Sequence, residues 1–386
     1  MDIKSIDKNY VANTYARADV TFVKGKGSYL YDEQGKKYID FGSGIAVNTL
    51  GHANGKWAKA VKKQASKLAH VSNLYYSEPC ALLAKRLVSL TGSKKVFFSN
   101  SGAEANECAI KCARKYSFDK YGEGRAKIIT LVNSFHGRTV TTLSATGQDN
   151  FHTNFMPFTE GFDYATANDF DALNGKIDES VCAIMLELVQ GEGGVNALSV
   201  EFVKNIEKLC QEKDILLIID EVQTGNGRTG SLYAYQGYGI SPDIVSTAKG
   251  LAGGLPLGAT MMFSKCENTL IAGTHGSTFG GNPVACAGAL AVLDALDGKL
   301  LLSVREKSEK IIKTLSSLAK VKSVSGKGFM LGVETEGITA SEALTKMREK
   351  GLIVLTAKTK IRLLPPLNIS DKDLDAGLEI MKEVLK

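Results

Sequence analysis

An α/β fold is the architecture this sequence predicts: a large domain on a mostly parallel sheet between helices, with a smaller α/β domain beside it. Three observations predict it. Between residues 47 and 286, short apolar runs alternate with stretches of helical spacing, the pattern of strands buried on both faces and separated by helices. A chain of 386 residues can bury a large core and still supply a companion domain. Glycines crowd the stretch from Gly225 to Gly281, which marks tightly packed backbone turns gathered around something rather than a flexible linker.

Residues 1–46 read as strand and turn. Ser28-Tyr-Leu-Tyr and Lys37-Tyr-Ile-Asp-Phe flank Asp32-Glu-Gln-Gly, a hairpin with Gly35 in its turn, and the segment serves as an N-terminal arm and part of the small domain. Residues 47–286 form the large domain. Lys56 to Lys67 has the spacing of a helix's wet face, and the strands are Val96-Phe-Phe-Ser, Lys127-Ile-Ile-Thr-Leu-Val, Cys182-Ala-Ile-Met-Leu-Glu-Leu, Ile215-Leu-Leu-Ile-Ile-Asp, Asp243-Ile-Val-Ser-Thr-Ala-Lys and Ala259-Thr-Met-Met-Phe. Residues 287–386 make the C-terminal small domain. It opens with a long helical stretch through Leu293, Leu300, Val304 and Leu315. Gly328-Phe-Met-Leu-Gly-Val, the helix Ser341 to Glu349 and Lys360-Ile-Arg-Leu-Leu follow, and a last helix opens at Ser370 as N-cap with Leu374, Leu378, Met381 and Leu385 on one face.

Charged residues make up 23% and apolar residues 44%, the balance of a globular protein. The net charge of +6 is scattered, which argues against a nucleic-acid surface and suits anionic metabolites. The seven cysteines include no Cys-x-x-Cys, and Cys108 and Cys112 have helical spacing suited to packing. The five histidines show no ligand spacing, so no metal is expected. The N-terminal stretch is polar and no run reaches the roughly 18 apolar residues of a membrane span, so a cytoplasmic setting is expected.

The chemistry is concentrated at strand ends. Asp220 closes one apolar run and Lys249 closes a neighbouring one, and in open α/β sheets ligands gather at the carboxyl ends of strands. Alone, the aspartate reads equally as a cap or ion-pair partner and the lysine as a surface residue. Together they can grip opposite ends of pyridoxal phosphate, the carboxylate at the ring nitrogen and the amine at the aldehyde. Asn100-Ser-Gly-Ala-Glu-Ala-Asn-Glu follows a strand and opens a helix, so its free amides suit a phosphate, while Ser101 also reads simply as an N-cap. Gln223 is spaced to reach the ring's phenolic oxygen. Phe135 and Val222 could cover the two ring faces, with ordinary core as the other reading for Phe135. Arg138 and Arg362 are candidates for clamping carboxylates, the latter because an arginine among apolar strand neighbours is informative.

These segments, in this order, resemble the class III (omega) aminotransferases of the type I pyridoxal-phosphate fold. The resemblance also takes in Tyr38-Ile-Asp-Phe-Gly-Ser-Gly-Ile-Ala-Val, Glu187-Leu-Val-Gln-Gly-Glu-Gly-Gly, Asp220-Glu-Val-Gln-Thr-Gly-Asn-Gly-Arg-Thr-Gly and His275-Gly-Ser-Thr-Phe-Gly-Gly-Asn-Pro. It implies a seven-stranded large-domain sheet, Lys249 and Asp220 as catalytic residues, and Phe135 as the stacking ring. It implies that Ser101, Gly102 and Ala103 hold the phosphate, joined by Thr278 of a neighbouring subunit, hence a homodimer with shared active sites. Tyr15, Ile45, Arg138, Glu192, Ser277 and Arg362 match substrate-handling positions. Within the family the resemblance points to an acylated ω-amino acid as donor, N2-acetylornithine foremost, and 2-oxoglutarate as acceptor. Free ornithine, succinylornithine and N-succinyl-diaminopimelate are alternatives. The apolar Ile45, where ornithine-specific members carry a tyrosine, favours an uncharged α-nitrogen. Glu192 is expected to mask Arg362 while the ω-amine is bound, its other reading being a solvated loop acid.

Overall fold

The computed structural model describes residues 2–386. At its centre lies a sheet of seven strands: β1 (Lys95–Ser99), β2 (Lys127–Leu131), β3 (Phe162–Ala165), β4 (Val181–Leu186), β5 (Leu216–Asp220), β6 (Ile244–Thr247) and β7 (Gly258–Met262). Their spatial order is β1-β7-β6-β5-β4-β2-β3. Strand β7 runs antiparallel to both neighbours, and every other pairing is parallel. Strands β4 to β7 are buried along their whole length, β4 and β5 as their apolar text requires, while β6 and β7 bury Ser246, Thr247 and Thr260 as well. The edge strand β3 has no counterpart among the apolar runs, because Phe162-Asp-Tyr-Ala carries an acid and is only half-buried over most of its length.

Alternation along the strands divides the core into two layers. Leu217 and Ile219 of β5 point into one cluster with Leu83, Leu87 and Ile206, whereas Leu216 and Ile218 point into another with Ala109, Ile110 and Cys112. The second cluster is the inner face of the helix Gly102–Tyr121, on which Cys108 and Cys112 are fully buried and unbridged.

The hairpin forms as its turn chemistry predicts. Tyr29–Asp32 and Lys37–Asp40 pair antiparallel around Gly35, whose φ of +80° is the left-handed value that favours glycine. Lys37–Asp40 in turn pairs in parallel with Leu352–Ile353, and Phe41 lies in one core with Val304, Phe329 and Leu378. A Cβ on Gly377 would come within 2.3 Å of the Phe41 ring, so the two chain ends interlock. A separate four-stranded antiparallel sheet carries Arg362 on Lys360–Leu363.

The expected long helical stretch is two helices, Pro283–Ala295 and Gly298–Ser316, because Asp297 starts a new one by accepting from the Leu300 amide at 2.8 Å. The last helix, Asp371–Leu385, is capped by Ser370 and buries Leu374, Leu378, Met381 and Leu385 as its spacing predicts. No helix among the described residues is long and apolar enough to cross a membrane.

Candidate active site

Strands β5 and β6 are parallel neighbours, with Asp220 opposite Ser246, so both deliver their ends to the same edge of the sheet. Asp220 closes β5. Lys249, in contrast, lies beyond β6 and opens a 3-10 turn, Lys249–Ala252, with a left-handed φ of +42°. That conformation is unusual for a residue with a side chain, and the surrounding turn holds it. Thr49 contributes by donating to the Gly250 carbonyl at 2.9 Å.

The carboxylate of Asp220 is buried and orientated from three sides. Its Oδ2 accepts from Asn106 Nδ2 and His136 Nδ1, each at 2.8 Å, and its Oδ1 accepts from the Val222 amide at 2.9 Å. Asn106 Nδ2 also donates to the His136 carbonyl at 2.7 Å. Glu187, just past β4, accepts from the Phe135 amide at 2.8 Å and from the Gly191 amide at 3.4 Å. Burial raises its carboxyl to about 7, against the pull of nearby His136. Asn106, His136 and Glu187 are functional neighbours to which the sequence reading gave no role. The signals were there: a polar residue on the apolar face of a helix, and a second acid at a strand's carboxyl end.

Burial lowers the pKa of the Lys249 amine, an effect the charge of Glu192 partly offsets. No hydrogen bond engages Lys249 Nζ among the described residues. Such an amine gives up its proton more readily than a lysine in water.

At the start of the helix Gly102–Tyr121, Ser101 caps by accepting from the Glu104 amide at 3.2 Å. The cap leaves the first amides, of Gly102 and Ala103, outside the helix's own hydrogen-bond ladder. A Cβ on Gly102 would come within 2.6 Å of Val222, so only glycine lets this helix start approach the β5 end. Gln223 is buried, and its Oε1 lies 3.4 Å from Arg362 Nη1.

Arg362 is buried and pairs with Glu192, its Nη1 lying 2.5 Å from Glu192 Oε1. Its Nε is buried without a partner. Arg138 is exposed, and its guanidinium lies 5.2 Å from the Phe135 ring centroid. Ile45 sits in a turn, Ser43 to Ala46, whose four residues all have left-handed φ, with +64° at Ile45. A β-branched residue is rare there. This turn packs beside the Lys249 turn.

Three predicted residues are not drawn into this cluster. Tyr15 is 70% exposed and contacts Arg17. Thr278 is exposed, and Ser277 reaches the cluster only through Asn100, whose Nδ2 donates to its hydroxyl at 3.2 Å. In a single chain Tyr15 and Thr278 are exposed and Ser277 is half-buried.

The residues present fit pyridoxal phosphate: two amides free at a helix start, a buried carboxylate fixed by three donors, a buried amine, and an orphaned arginine nitrogen nearby. Among the described residues no cluster of histidine, cysteine or acid could hold a metal ion.

Comparison with known proteins agrees. The model of the family "Aminotransferase class-III" matches residues 10–385. Acetylornithine aminotransferase of Haemophilus ducreyi is 54% identical over 99% of this chain and 98% of its own, and that of Aquifex aeolicus is 49% identical over 97% and 100%. Among solved structures, the ornithine aminotransferase of Toxoplasma gondii superposes with a TM-score of 0.95 at 32% identity, covering 99% of this chain and 94% of that one. N-acetylornithine aminotransferase of Stenotrophomonas maltophilia gives 0.85 at 33% identity, covering 98% and 97%. A crystal structure of the Toxoplasma enzyme is described with pyridoxal phosphate at its active site. With the fold, the strand-end pair and the full-length match in agreement, the chain belongs to the class-III aminotransferases, enzymes dependent on pyridoxal phosphate.

Proposed function

We propose that this aminotransferase moves the terminal amino group of N2-acetyl-L-ornithine to 2-oxoglutarate, giving N-acetyl-L-glutamate 5-semialdehyde and L-glutamate, as a step of arginine biosynthesis. The observation that carries this reading is the unequal state of two arginines, one buried and paired with Glu192, the other exposed and free of ion pairs. An ω-amine carries its carboxylate far from the reacting nitrogen, whereas glutamate carries one beside it. One site can serve both if Arg138 reads the distant carboxylate and Arg362 the near one, with Glu192 masking Arg362 until the oxo acid arrives.

When bound, pyridoxal phosphate supplies the reactive aldehyde and the electron-accepting ring of amino-group exchange. Ser101, Gly102 and Ala103 would hold its phosphate, Phe135 and Val222 its ring faces, Gln223 its phenolic oxygen and Asp220 its ring nitrogen. Lys249 Nζ, whose pKa burial lowers so that it gives up its own proton more readily, takes a proton from the substrate carbon that bears nitrogen and later returns it. Asn106 and His136 fix the Asp220 carboxylate so that it need not reorganise.

The preference for an acylated donor is supported by the relatives at 54% and 49% identity and by the apolar side chain of Ile45. Free ornithine is the second reading, supported by the higher TM-score of the Toxoplasma enzyme, although its 32% identity makes that a likeness of backbone more than of pocket. We place the enzyme in the cytoplasm as a homodimer. Tyr15 and Thr278 then have work at a second subunit's site, which accounts for their exposure here, with half-buried Ser277 next to Thr278. Residues 1–46 act as arm and part of the small domain, 47–286 as the cofactor-binding domain and 287–386 as the C-terminal small domain, the last two joined through the helix Pro283–Ala295.

Half-reactions test the substrate. With acetylornithine, succinylornithine, ornithine and N-succinyl-diaminopimelate offered side by side, the near-visible band of the loaded enzyme is expected to bleach most efficiently with acetylornithine. Bleaching led by ornithine would reverse the assignment.

A further inference from the structure

Arg138 has no hydrogen bond or ion pair among the described residues, yet its guanidinium has a definite seat. It lies over the ring of Phe151, 4.2 Å from the centroid, closer than its 5.2 Å approach to Phe135. Phe151 also packs edge-on against Phe135, with centroids 5.9 Å apart and planes at 72°. One half-buried ring thus touches both the residue assigned to the cofactor's face and the residue assigned to the substrate's carboxylate.

The segment carrying Phe151 is built to stay where it is. Phe151 closes a 3-10 turn, Asp149–Phe151, with its amide 3.0 Å from the Gln148 carbonyl. The Gln148 side chain donates to the Ser134 carbonyl, and the Gly147 amide to the Ser134 hydroxyl, each at 3.0 Å. The Asn133 amide donates to the Gly147 carbonyl at 2.6 Å. A Cβ on Gly147 would fall 2.1 Å from the Leu131 carbonyl oxygen, so glycine permits this contact and a larger residue forbids it. Residues 147–151 are therefore stapled to the strand end that leads into Phe135.

From this geometry we propose that Phe151 is a positioning residue for Arg138, and through it a determinant of donor specificity. The proposal rests on the reading of Arg138 as the carboxylate-binding arginine. An exposed arginine normally loses much side-chain freedom when it clamps a carboxylate. A ring beneath its guanidinium removes part of that freedom beforehand, through a cation–π contact that leaves the edge donors open. The contact acts on the ω-amine, whose carboxylate Arg138 reads, and not on glutamate, whose near carboxylate Arg362 reads.

The test uses the loaded enzyme and the variants F151A, F151L, F151Y, R138A and R138A/F151A. F151A and F151L are expected to raise KM for acetylornithine about threefold to tenfold, with kcat nearly kept. The KM for glutamate and the near-visible absorption of the bound cofactor are expected to stay as in the parent. F151Y keeps the ring face and restores the acetylornithine KM, which separates positioning from a general packing defect. Once Arg138 is gone, F151A is expected to add no further loss. Equal KM increases for both donors in F151A and F151L, or a displaced absorption band, would mean that Phe151 acts through Phe135 or the fold, and the proposal fails. If R138A raises the acetylornithine KM and the Phe151 variants do not, only the proposal falls. If R138A itself leaves that KM unchanged, the reading of Arg138 falls and takes the proposal with it.

Discussion

At the inner end of the crevice Asp220, Asn106 and Glu187 are buried, and each holds two or more hydrogen bonds. Towards the solvent Arg138 holds none, and Tyr15 and Thr278 stand outside the cluster altogether. The difference follows the division of labour in transamination. Every amino donor undergoes the same chemistry, so the groups that serve it can be fixed in advance, where fixed dipoles act most strongly. Donor and acceptor differ in where their carboxylates lie, so the groups that read them must be free to change partners. The Arg362–Glu192 pair straddles the boundary: the arginine side chain is 4% exposed and the glutamate 32%.

The largest expected effect tests the inner end. Replacing Lys249 with alanine removes the buried base, and both half-reactions are expected to slow together by about 10⁴-fold. Single-turnover bleaching with acetylornithine, and its reversal with 2-oxoglutarate, measures the two separately. A loss confined to one would show that the inner end also discriminates between substrates, and the contrast would collapse.

A smaller effect, divided between the half-reactions, is expected at the mouth. E192Q weakens the mask on Arg362, so kcat/KM for acetylornithine is expected to fall about tenfold while that for glutamate changes by less than about twofold. Equal losses would recast Glu192 as a structural partner of Arg362.

The same contrast governs how much the sequence disclosed. Strands β4 and β5 and the Asp220 end were legible because burial on both faces writes an unbroken apolar run, and an acid at the end of one stands out. The left-handed turns at Lys249 and at Ser43 to Ala46 were not, since neither is built of turn residues alone and tertiary contacts impose the strain. The seat of Arg138 on Phe151 was equally hidden: the partners are distant along the chain, and Asp149-Asn-Phe has no periodicity. His136, beside the stacking Phe135, gives no sign in the sequence of a role of its own. Its Nδ1 on Asp220 places it with the chemistry shared by all donors.

The smallest expected effect concerns the cost of the dry inner end. Burial pushes Glu187 and Glu221 up to about 7, from 4.5 for an unperturbed glutamate. A carboxyl raised in this way binds its proton more tightly folded than unfolded. Its stabilising contribution is therefore complete below about pH 4.5 and lost as pH climbs through about 7. Asp214, held well below its usual range by hydrogen bonds from Lys120 and Tyr121 despite its burial, behaves oppositely, losing its contribution only in stronger acid. The two windows are separate. Between pH 5 and 8 the melting temperature of the cofactor-free protein is expected to decline as these two buried glutamates ionise. E187Q cannot ionise there, so its advantage over the parent is expected to grow with pH to on the order of a few degrees and then level off above about pH 7. An advantage that stays constant across that range would mean that Glu187 is not the titrating group, and that the inner end is less sealed from water than its hydrogen bonds imply.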